Sequence, residues 1–170
     1  MIRFAKENDL ERVNELRRQV NEVHVMGRPD IFKPGFCQEM QDAVSVFLHD
    51  ENKDILVAER DGMICGMACI NYVSRPETAH GLARRYYHIE EFCVDETMRR
   101  QGIGTELFSF IAADAGCRGF DRVELDMWEF NEGALKFYEA VGFRTYRRLL
   151  ELEVPVGEEH SRRVQETGTE

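Results

Sequence analysis

A basic turn with two glycines, between residues 94 and 105, carries the clearest chemical signal in the chain. Arg99 and Arg100 precede Gly102 and Gly104, and the turn leads from an apolar strand-like stretch into a helical one. Glycines allow the backbone to turn tightly and to approach a ligand closely. The first N–H groups of a helix have no partner within the helix, and the helix dipole favours negative charge beside them. The turn therefore predicts a site for phosphate groups.

The turn matches neither of two familiar nucleotide-binding patterns. It lacks the Gly-Lys-Ser or Gly-Lys-Thr of a Walker loop, and it lacks the third glycine of the dinucleotide-binding fingerprint. Taken without its context, the same turn also fits a helix start that binds nothing.

Apolar periodicity predicts the elements that must position this turn. Asp61-Gly62 lies between two apolar, partly β-branched runs, which is typical of a hairpin. No repeat and no linker divides the chain, so we expect one α+β domain, a mixed α/β sandwich, over residues 1–154 and a flexible tail over residues 155–170. Strands are expected over residues 2–4, 54–60, 63–73, 85–94, 123–127 and 146–154, and helices over residues 10–23, 36–48, 104–115 and 131–141.

The composition disfavours several classes of function. Lys and Arg number 22 against 32 Asp and Glu, and the net charge of −10 disfavours a nucleic-acid partner. No apolar run approaches the roughly 18 residues of a membrane span, and the first residues do not resemble a signal peptide. The five cysteines are odd in number, as expected of reduced thiols. We therefore expect a cytoplasmic protein with no metal, nucleic-acid or membrane partner.

Two segments together resemble the GNAT superfamily of N-acetyltransferases. Arg99-x-x-Gly102-x-Gly104, after a strand that ends in Phe92-Cys93-Val94, is similar to that family's acetyl-CoA pyrophosphate motif. The segment from Asn131 to Phe143, which reads NEGALKFYEAVGF, is similar to the family's second motif. The resemblance covers residues 1–154, and the stretch over residues 90–143 is similar to diamine and polyamine acetyltransferases.

The resemblance implies both a fold and a reaction. The fold is the GNAT-like acyl-CoA N-acyltransferase fold, with a central mixed sheet splayed between the fourth and fifth strands and helices on both faces. The reaction is transfer of the acetyl group of acetyl-CoA, as co-substrate, to a primary amine of a small molecule or peptide, by direct attack in a ternary complex. An alkylamine with a pKa of about 10.4 is almost entirely protonated at neutral pH, so this reaction needs a base.

The resemblance also implies catalytic residues. Family members place the proton acceptor four or six residues before the position that Val94 matches, which implies Glu90 as the base, through water, with His88 as the second choice. Regular alternation puts His88, Glu90, Phe92 and Val94 on one face of the strand and Glu91 and Cys93 on the other, whereas a bulge would exchange the two glutamates. Tyr138 matches the tyrosine that protonates the departing thiolate.

The contacts to coenzyme A follow from the same two motifs. Backbone groups around Cys93 and Val94 would form the oxyanion site and pair with the pantetheine arm, and Asn131 is a helix cap, a contact for that arm, or both. The expected contacts to the cofactor are Phe92, Cys93, Val94, Arg99, Arg100, Gln101, Gly102, Ile103, Gly104, Thr105, Asn131 and Phe137.

The residues leave several alternatives open. A non-catalytic module that senses coenzyme A, or an enzyme that uses a longer acyl donor, would carry the same motifs. The negative net charge favours a cationic amine, but Arg75, Arg84 and Arg85 near the expected acceptor pocket oppose it, so the amine is undecided. Related folds often pair through their last strands, and the leucines at 149, 150 and 152 would serve either a homodimer or the core of one chain.

Overall fold

The computed structural model describes residues 1–154, and its elements follow the predicted order as far as residue 140. The strands are β1 (Ile2–Phe4), β2 (Lys53–Arg60), β3 (Met63–Arg75), β4 (Arg84–Val94) and β5 (Arg122–Leu125). The helices are α1 (Leu10–Gly27), α2 (Gln38–Asp42), α3 (Val46–His49), α4 (Ile103–Cys117) and α5 (Glu132–Ala140), with 3₁₀ turns at Glu7–Asp9, Ala43–Ser45 and Glu96–Met98. No helix of these residues is long and apolar enough to cross a membrane.

The strands form one mixed sheet in the order β1-β2-β3-β4-β5. Neighbours are antiparallel as far as β4, and β4 pairs with β5 in parallel. The pairing of β4 with β5 extends only from Tyr86 to Ile89, although β4 continues to Val94. The sheet is therefore splayed between its fourth and fifth strands, and the predicted fold class is confirmed.

Side chains of the central strands enter two separate cores, one on each face of the sheet. On one face, Val13 and Leu16 of α1 pack with Ile55 and Met67. On the other face, α4 packs its own apolar residues against the alternate positions of the same strands. The hairpin between β2 and β3 turns at Asp61 and Gly62, whose φ angles of 49° and 77° suit the predicted Asp-Gly turn.

Two predicted elements are corrected by the structure. The helix expected over residues 36–48 is a helical run over residues 38–49 that consists of two short α-helices with a 3₁₀ turn between them, and Val44, Phe47 and Leu48 of this run pack into the core. The strand expected over residues 146–154 is wrong: this stretch has no regular structure, and its backbone makes no hydrogen bond to residues 1–143. A strand requires a neighbour to pair with, and the alternating sequence does not supply one. The expected tail over residues 155–170 lies outside the described residues.

Asp95 fixes the end of β4 and the start of the glycine turn. Its carboxylate accepts hydrogen bonds from the backbone N–H and hydroxyl of Thr97, at 2.9 and 2.6 Å. It also accepts from Arg12 at 2.5 Å and from Gln19 at 3.2 Å, both on α1. These bonds, those of Thr97 foremost, hold the pKa of Asp95 well below its usual range. A buried carboxylate thus ties the sheet, α1 and the turn together.

Replacing Asp95 with asparagine should lower the free energy of unfolding by about 3 kcal/mol at pH 7, because Arg12 loses its buried partner. The pKa of Asp95 is lower in the folded than in the unfolded chain, so its contribution is complete above about pH 4 and is lost as the pH falls further. The difference between wild type and Asp95→Asn in urea unfolding should therefore shrink at pH 3. Asp121→Asn, at an exposed position, is the control, and an equal difference at both pH values would contradict the prediction.

Candidate active site

The glycine turn has the backbone geometry of a phosphate cradle. Gly102, immediately before α4, has a φ of 81°, and Arg100 also lies in the left-handed region at 60°. A Cβ atom on Gly104 would lie 3.2 Å from the ring of Phe137 and 3.5 Å from Val94. Glycine at 104 therefore allows α4, α5 and the end of β4 to meet closely, and glycine at 102 relieves backbone strain.

The first turn of α4 offers unpaired backbone donors beside positive charge. The first N–H with a partner within the helix is that of Glu106, which donates to the carbonyl of Gly102 at 3.0 Å. Arg99 donates its Nε to the carbonyl of Val94 at 3.1 Å, which holds its guanidinium beside the turn. The side chains of Arg99, Arg100, Gln101 and Thr105 are exposed, whereas Ile103 is buried and offers only its backbone.

The second motif brings α5 against the end of β4. Asn131 accepts a hydrogen bond from the backbone N–H of Ala134 at 3.1 Å, so its expected role as a helix cap is confirmed. The ring of Phe137 lies 5.6 Å from that of Phe92, and the ring of Tyr138 lies 6.3 Å from it. Burial, with a smaller effect from Cys93, raises the pKa of Tyr138 to about 12. Tyr138 is therefore a protonated phenol at neutral pH and able to donate.

A β-bulge interrupts β4 at Glu90. Opposite β3, Cys69 pairs with Glu91 and Ile70 pairs with Ile89, which leaves Glu90 without a partner. The expectation that Phe92 shares a face with His88 and Glu90 is wrong, because the extra residue reverses the alternation. Phe92 packs toward α4, on the side opposite Glu91 and Cys93.

The two adjacent glutamates have different surroundings. Glu91 accepts two hydrogen bonds from Nε of Arg17 on α1, at 3.0 and 3.1 Å. Arg17 also donates to the carbonyl of Met40 at 2.7 Å, so the pair is anchored between α1 and α2. Burial raises the pKa of Glu91, and Arg17 opposes that shift. Glu90 is 44% exposed and has no Arg or Lys partner in the described chain.

Two polar residues that the sequence did not single out lie near Glu90 or His88. Asn71 of β3 donates its amide Nδ2 to Oε1 of Glu90. The Nε2 of His88 lies 4.0 Å from Glu90 and 3.9 Å from Asp126, which follows β5. Asn71 could have been noticed as a polar residue within an otherwise apolar strand. Asp126 had no such signal, because its proximity to His88 depends on the parallel pairing of β4 with β5.

The Cys93 thiol is buried and poorly suited to act as a nucleophile. Burial raises its pKa to about 11, so the thiolate is scarce at neutral pH. Its backbone pairs with Met67 of β3, while the other side of β4 faces the splay. The backbone groups on that side, from Glu91 to Val94, are free of β5 and accessible to a ligand that lies in the splay.

Residues 24–36, which the sequence left undecided, form an aromatic wall with the loop after β5. The ring of Phe32 lies 5.0 Å from His24 and 5.3 Å from Trp128. Arg28 lies over Trp128 at 5.5 Å and pairs with Asp30 at 2.7 Å. Burial lowers the pKa of His24, so its ring is mostly neutral at pH 7. Within residues 1–154, no group of three or more His, Cys, Asp or Glu could hold a metal ion.

The family model that matches this chain is that of the acetyltransferase (GNAT) family, over residues 13–143. The chain therefore belongs to the GNAT acetyltransferase family. A tetramutant of the BH1408 protein from Bacillus halodurans has a TM-score of 0.87 and 32% sequence identity, over 91% of this chain and 99% of that one. The aminoglycoside N-acetyltransferase AAC(6')-Iy, solved with CoA, has a TM-score of 0.70 and 20% identity over 91% and 94%, which shows the fold alone.

Two curated relatives have named acceptors. The L-ornithine N5-acetyltransferase of Arabidopsis thaliana is 32% identical over 101 residues, which is 59% of this chain and 40% of that protein. The glucosamine 6-phosphate N-acetyltransferase of Trypanosoma brucei brucei is 32% identical over 93 residues, 55% of this chain and 59% of that protein. The chain thus spans less than two thirds of the length of either relative.

Gly102→Ala should lower the free energy of unfolding by about 1 kcal/mol, because alanine disfavours the left-handed φ of 81°. Gly116→Ala, later in α4 where a Cβ meets nothing within 4 Å, should raise it by about 0.5–1 kcal/mol through helix propensity. Chemical denaturation of both variants measures the two effects. Equal stability of Gly102→Ala and wild type would show that the left-handed turn is dispensable.

Proposed function

We propose that this chain transfers the acetyl group of acetyl-CoA to a primary amine of a small molecule or peptide, by direct attack in a ternary complex. One observation carries the proposal: the glycine turn and Glu90 lie at the two ends of the part of β4 that has no β5 partner. Four residues of extended chain span about 13 Å, so an elongated donor could run from one to the other. The structure of AAC(6')-Iy in complex with CoA supports this assignment, as do the names of both curated relatives, which are N-acetyltransferases.

In this proposal the glycine turn holds the pyrophosphate of acetyl-CoA. The free N–H groups of the first turn of α4 and the guanidinium groups of Arg99 and Arg100 are suited to it. The backbone groups around Cys93 and Val94 that face the splay pair with the pantetheine arm and stabilise the oxyanion, and the Val94 carbonyl exchanges its bond from Arg99 when the arm binds. Phe92 and Phe137 line the same end of β4.

Glu90 is the proposed base. It accepts a proton from the acceptor ammonium, through water, and the neutral amine then attacks the thioester carbonyl. The adjacent Glu91 is paired with Arg17 and is less suited to this role. His88, between Glu90 and Asp126, is the second choice and could pass the proton on toward solvent.

Tyr138 is the proposed acid. A carbon–nitrogen bond forms, the carbon–sulfur bond breaks, and the phenol of Tyr138 gives its proton to the departing thiolate. The attacking nitrogen loses its second proton as the amide forms, and this proton restores the phenol through water. The raised pKa of about 12 keeps the phenol protonated at neutral pH. Since a coenzyme thiol is more acidic than this phenol, the contribution depends on position and on local charge rather than on intrinsic acidity.

The acceptor is proposed to enter beside the aromatic wall formed by Phe32 and Trp128. Glu90 and Asp126 lie 4.0 and 3.9 Å from His88, and their negative charge favours a cationic amine. We place the reaction in the cytoplasm, since the free thiols at Cys65, Cys69 and Cys93 suit a reducing compartment.

Binding of acetyl-CoA and turnover test this proposal separately. Acetyl-CoA at about 100 times its dissociation constant should stabilise the chain by about 2.7 kcal/mol, whereas ATP and NAD should not. Product formation with a panel of amines should then follow. A thermal shift without acetylation of any amine would favour the coenzyme A sensor, and faster turnover with a longer thioester would favour another acyl donor. Absence of a shift would contradict donor binding.

Glu90→Gln and Glu91→Gln form a matched pair of variants. Glu90→Gln should lower kcat by about 100-fold, because the acceptor loses its base, and should leave the melting temperature nearly unchanged. Glu91→Gln leaves Arg17 without its carboxylate and should lower the melting temperature by several degrees while most of kcat remains. Steady-state kinetics and thermal unfolding distinguish the two, and the reverse pattern would identify Glu91 as the base.

We also propose that two copies of the chain pair through segment 144–154. Five apolar side chains of this segment, Tyr146, Leu149, Leu150, Leu152 and Val154, are between 70% and 93% exposed. Several exposed apolar side chains in one short segment are typical of an interaction surface. Beside it, β5 is the last strand of the described sheet and its outer edge is unpaired. Segment 144–154 contacts the described domain through side chains, with Tyr146 donating to Glu124 at 2.8 Å and Arg28 to Glu151 at 2.7 Å.

The charges of segment 144–154 favour pairing with a second copy of the chain. The segment carries Arg147 and Arg148 before Leu149 and Leu150, and Glu151 and Glu153 after them. In a two-fold antiparallel pair centred on the two leucines, each basic half faces an acidic half. Residues 155–170 are less suited to cover the leucines of this segment, because they contain two valines and no Leu, Ile, Phe, Tyr or Trp.

Charge reversal tests this pairing. Wild type should have about twice the 19.8 kDa of one chain in light scattering. An acidic variant, Arg147→Glu with Arg148→Glu, and a basic variant, Glu151→Arg with Glu153→Arg, should each be monomeric and should form a dimer when mixed. Glu77→Arg with Glu139→Arg, at exposed positions elsewhere, should leave the dimer intact. A monomeric wild type, or variants that stay dimeric alone, would contradict the pairing.

A further inference from the structure

Asn71 occupies an unusual place for a polar residue. It lies in β3 within an apolar run, and its register partner on β4 is His88. The bulge at Glu90 begins one pair away, where the register between β3 and β4 shifts after Cys69. Asn71 thus lies beside the bulge that sets the directions of Glu90 and Glu91.

The amide of Asn71 is oriented by Glu90. Its Nδ2 donates to Oε1 of Glu90, while its Oδ1 is buried and is the only buried side-chain oxygen or nitrogen without a partner in residues 1–154. Rotating the amide by half a turn would place Oδ1 against the carboxylate, which repels it. The bond to Glu90 therefore fixes the orientation of the amide, with Nδ2 toward the carboxylate and Oδ1 on the buried side.

We propose that Asn71 is a positioning residue that fixes the Glu90 carboxylate for proton transfer. The proposal rests on the proposed function, in which Glu90 is the base. Glu90 projects from a bulge and is 44% exposed, so its rotamer would otherwise be weakly restrained. One hydrogen bond from a buried amide restrains the carboxylate without neutralising it, whereas a cation such as Arg17 would stabilise its charge and weaken it as a base.

Other titratable or charged groups also face Glu90. His88 lies on the same strand at 4.0 Å from Oε1, and Glu91 is the next residue. Farther out are Cys69 of β3, Arg17 of α1, which pairs with Glu91, and Asp126 after β5, which lies 3.9 Å from His88. Among these residues only Asn71 donates a hydrogen bond to Glu90, and its amide carries no charge.

Asn71→Leu separates positioning from structural support. Leucine has a similar volume, suits a strand and removes the buried oxygen, so the melting temperature should stay the same or rise. Because Glu90 loses its restraint, kcat should fall by about tenfold with little change in the KM for acetyl-CoA. Gln38→Leu, which removes an exposed amide that donates to the carboxylate of Asp42 at 2.7 Å within α2, is the control and should leave kcat unchanged.

Asn71→Asp provides a second readout through the pH dependence of kcat. A carboxylate beside Glu90 cannot ionise freely together with it, so the acidic limb of the profile should move up by about one pH unit. An unmoved limb would show that residue 71 does not lie against the group whose ionisation limits kcat.

The outcomes distinguish this proposal from the proposed function. If Glu90→Gln is inactive while Asn71→Leu has wild-type kcat, the positioning role is wrong and the base assignment stands. A fall in melting temperature and kcat together, with the acidic limb of Asn71→Asp unmoved, would also overturn the positioning role. If Glu90→Gln retains wild-type kcat, the base assignment fails and Asn71 has nothing to position.

Discussion

Beyond Ile89, β3 is the only strand of the described residues that pairs with β4, because the pairing of β4 with β5 ends there. Burying peptide groups without hydrogen bonds costs folding free energy. A strand side that has no neighbouring strand must therefore face solvent or a ligand. The pairing of β4 with β5 ends where α5 and the start of α4 approach β4, with Gly104 and Phe137 in close contact. The splay, the glycine turn and the second motif therefore belong to one arrangement around the free side of β4.

The bulge in β4 gives neighbouring residues different chemistry. Without it, Glu90 and Glu91 would point to opposite faces of the sheet. With it, Glu91 reaches Arg17 and joins α1 to the sheet, while Glu90 stays partly exposed and bonds to the amide of Asn71. One extra residue thus separates a carboxylate that stabilises the fold from one that is available for the proposed proton transfer.

The two ends of the described chain have different relations to the sheet. β1 pairs with β2 at one edge and is part of the packed domain. Segment 144–154 follows α5 past the free edge of β5 without backbone pairing, and its leucines are exposed. An alternating sequence supplies a surface that suits a strand, but a strand forms only where another backbone is available.

The sequence by itself determined the family, the order of the elements as far as α5, the hairpin at Asp61-Gly62 and the glycine turn before α4. These features depend on local backbone preference and on apolar periodicity, which neighbouring residues carry. The tertiary structure decided which glutamate is paired with Arg17, that Asn71 and Asp126 lie near His88, and that residues 146–154 do not form a strand. Each of these depends on the register between strands or on a partner far away in the chain, and a one-residue shift in register reverses the face of every side chain that follows.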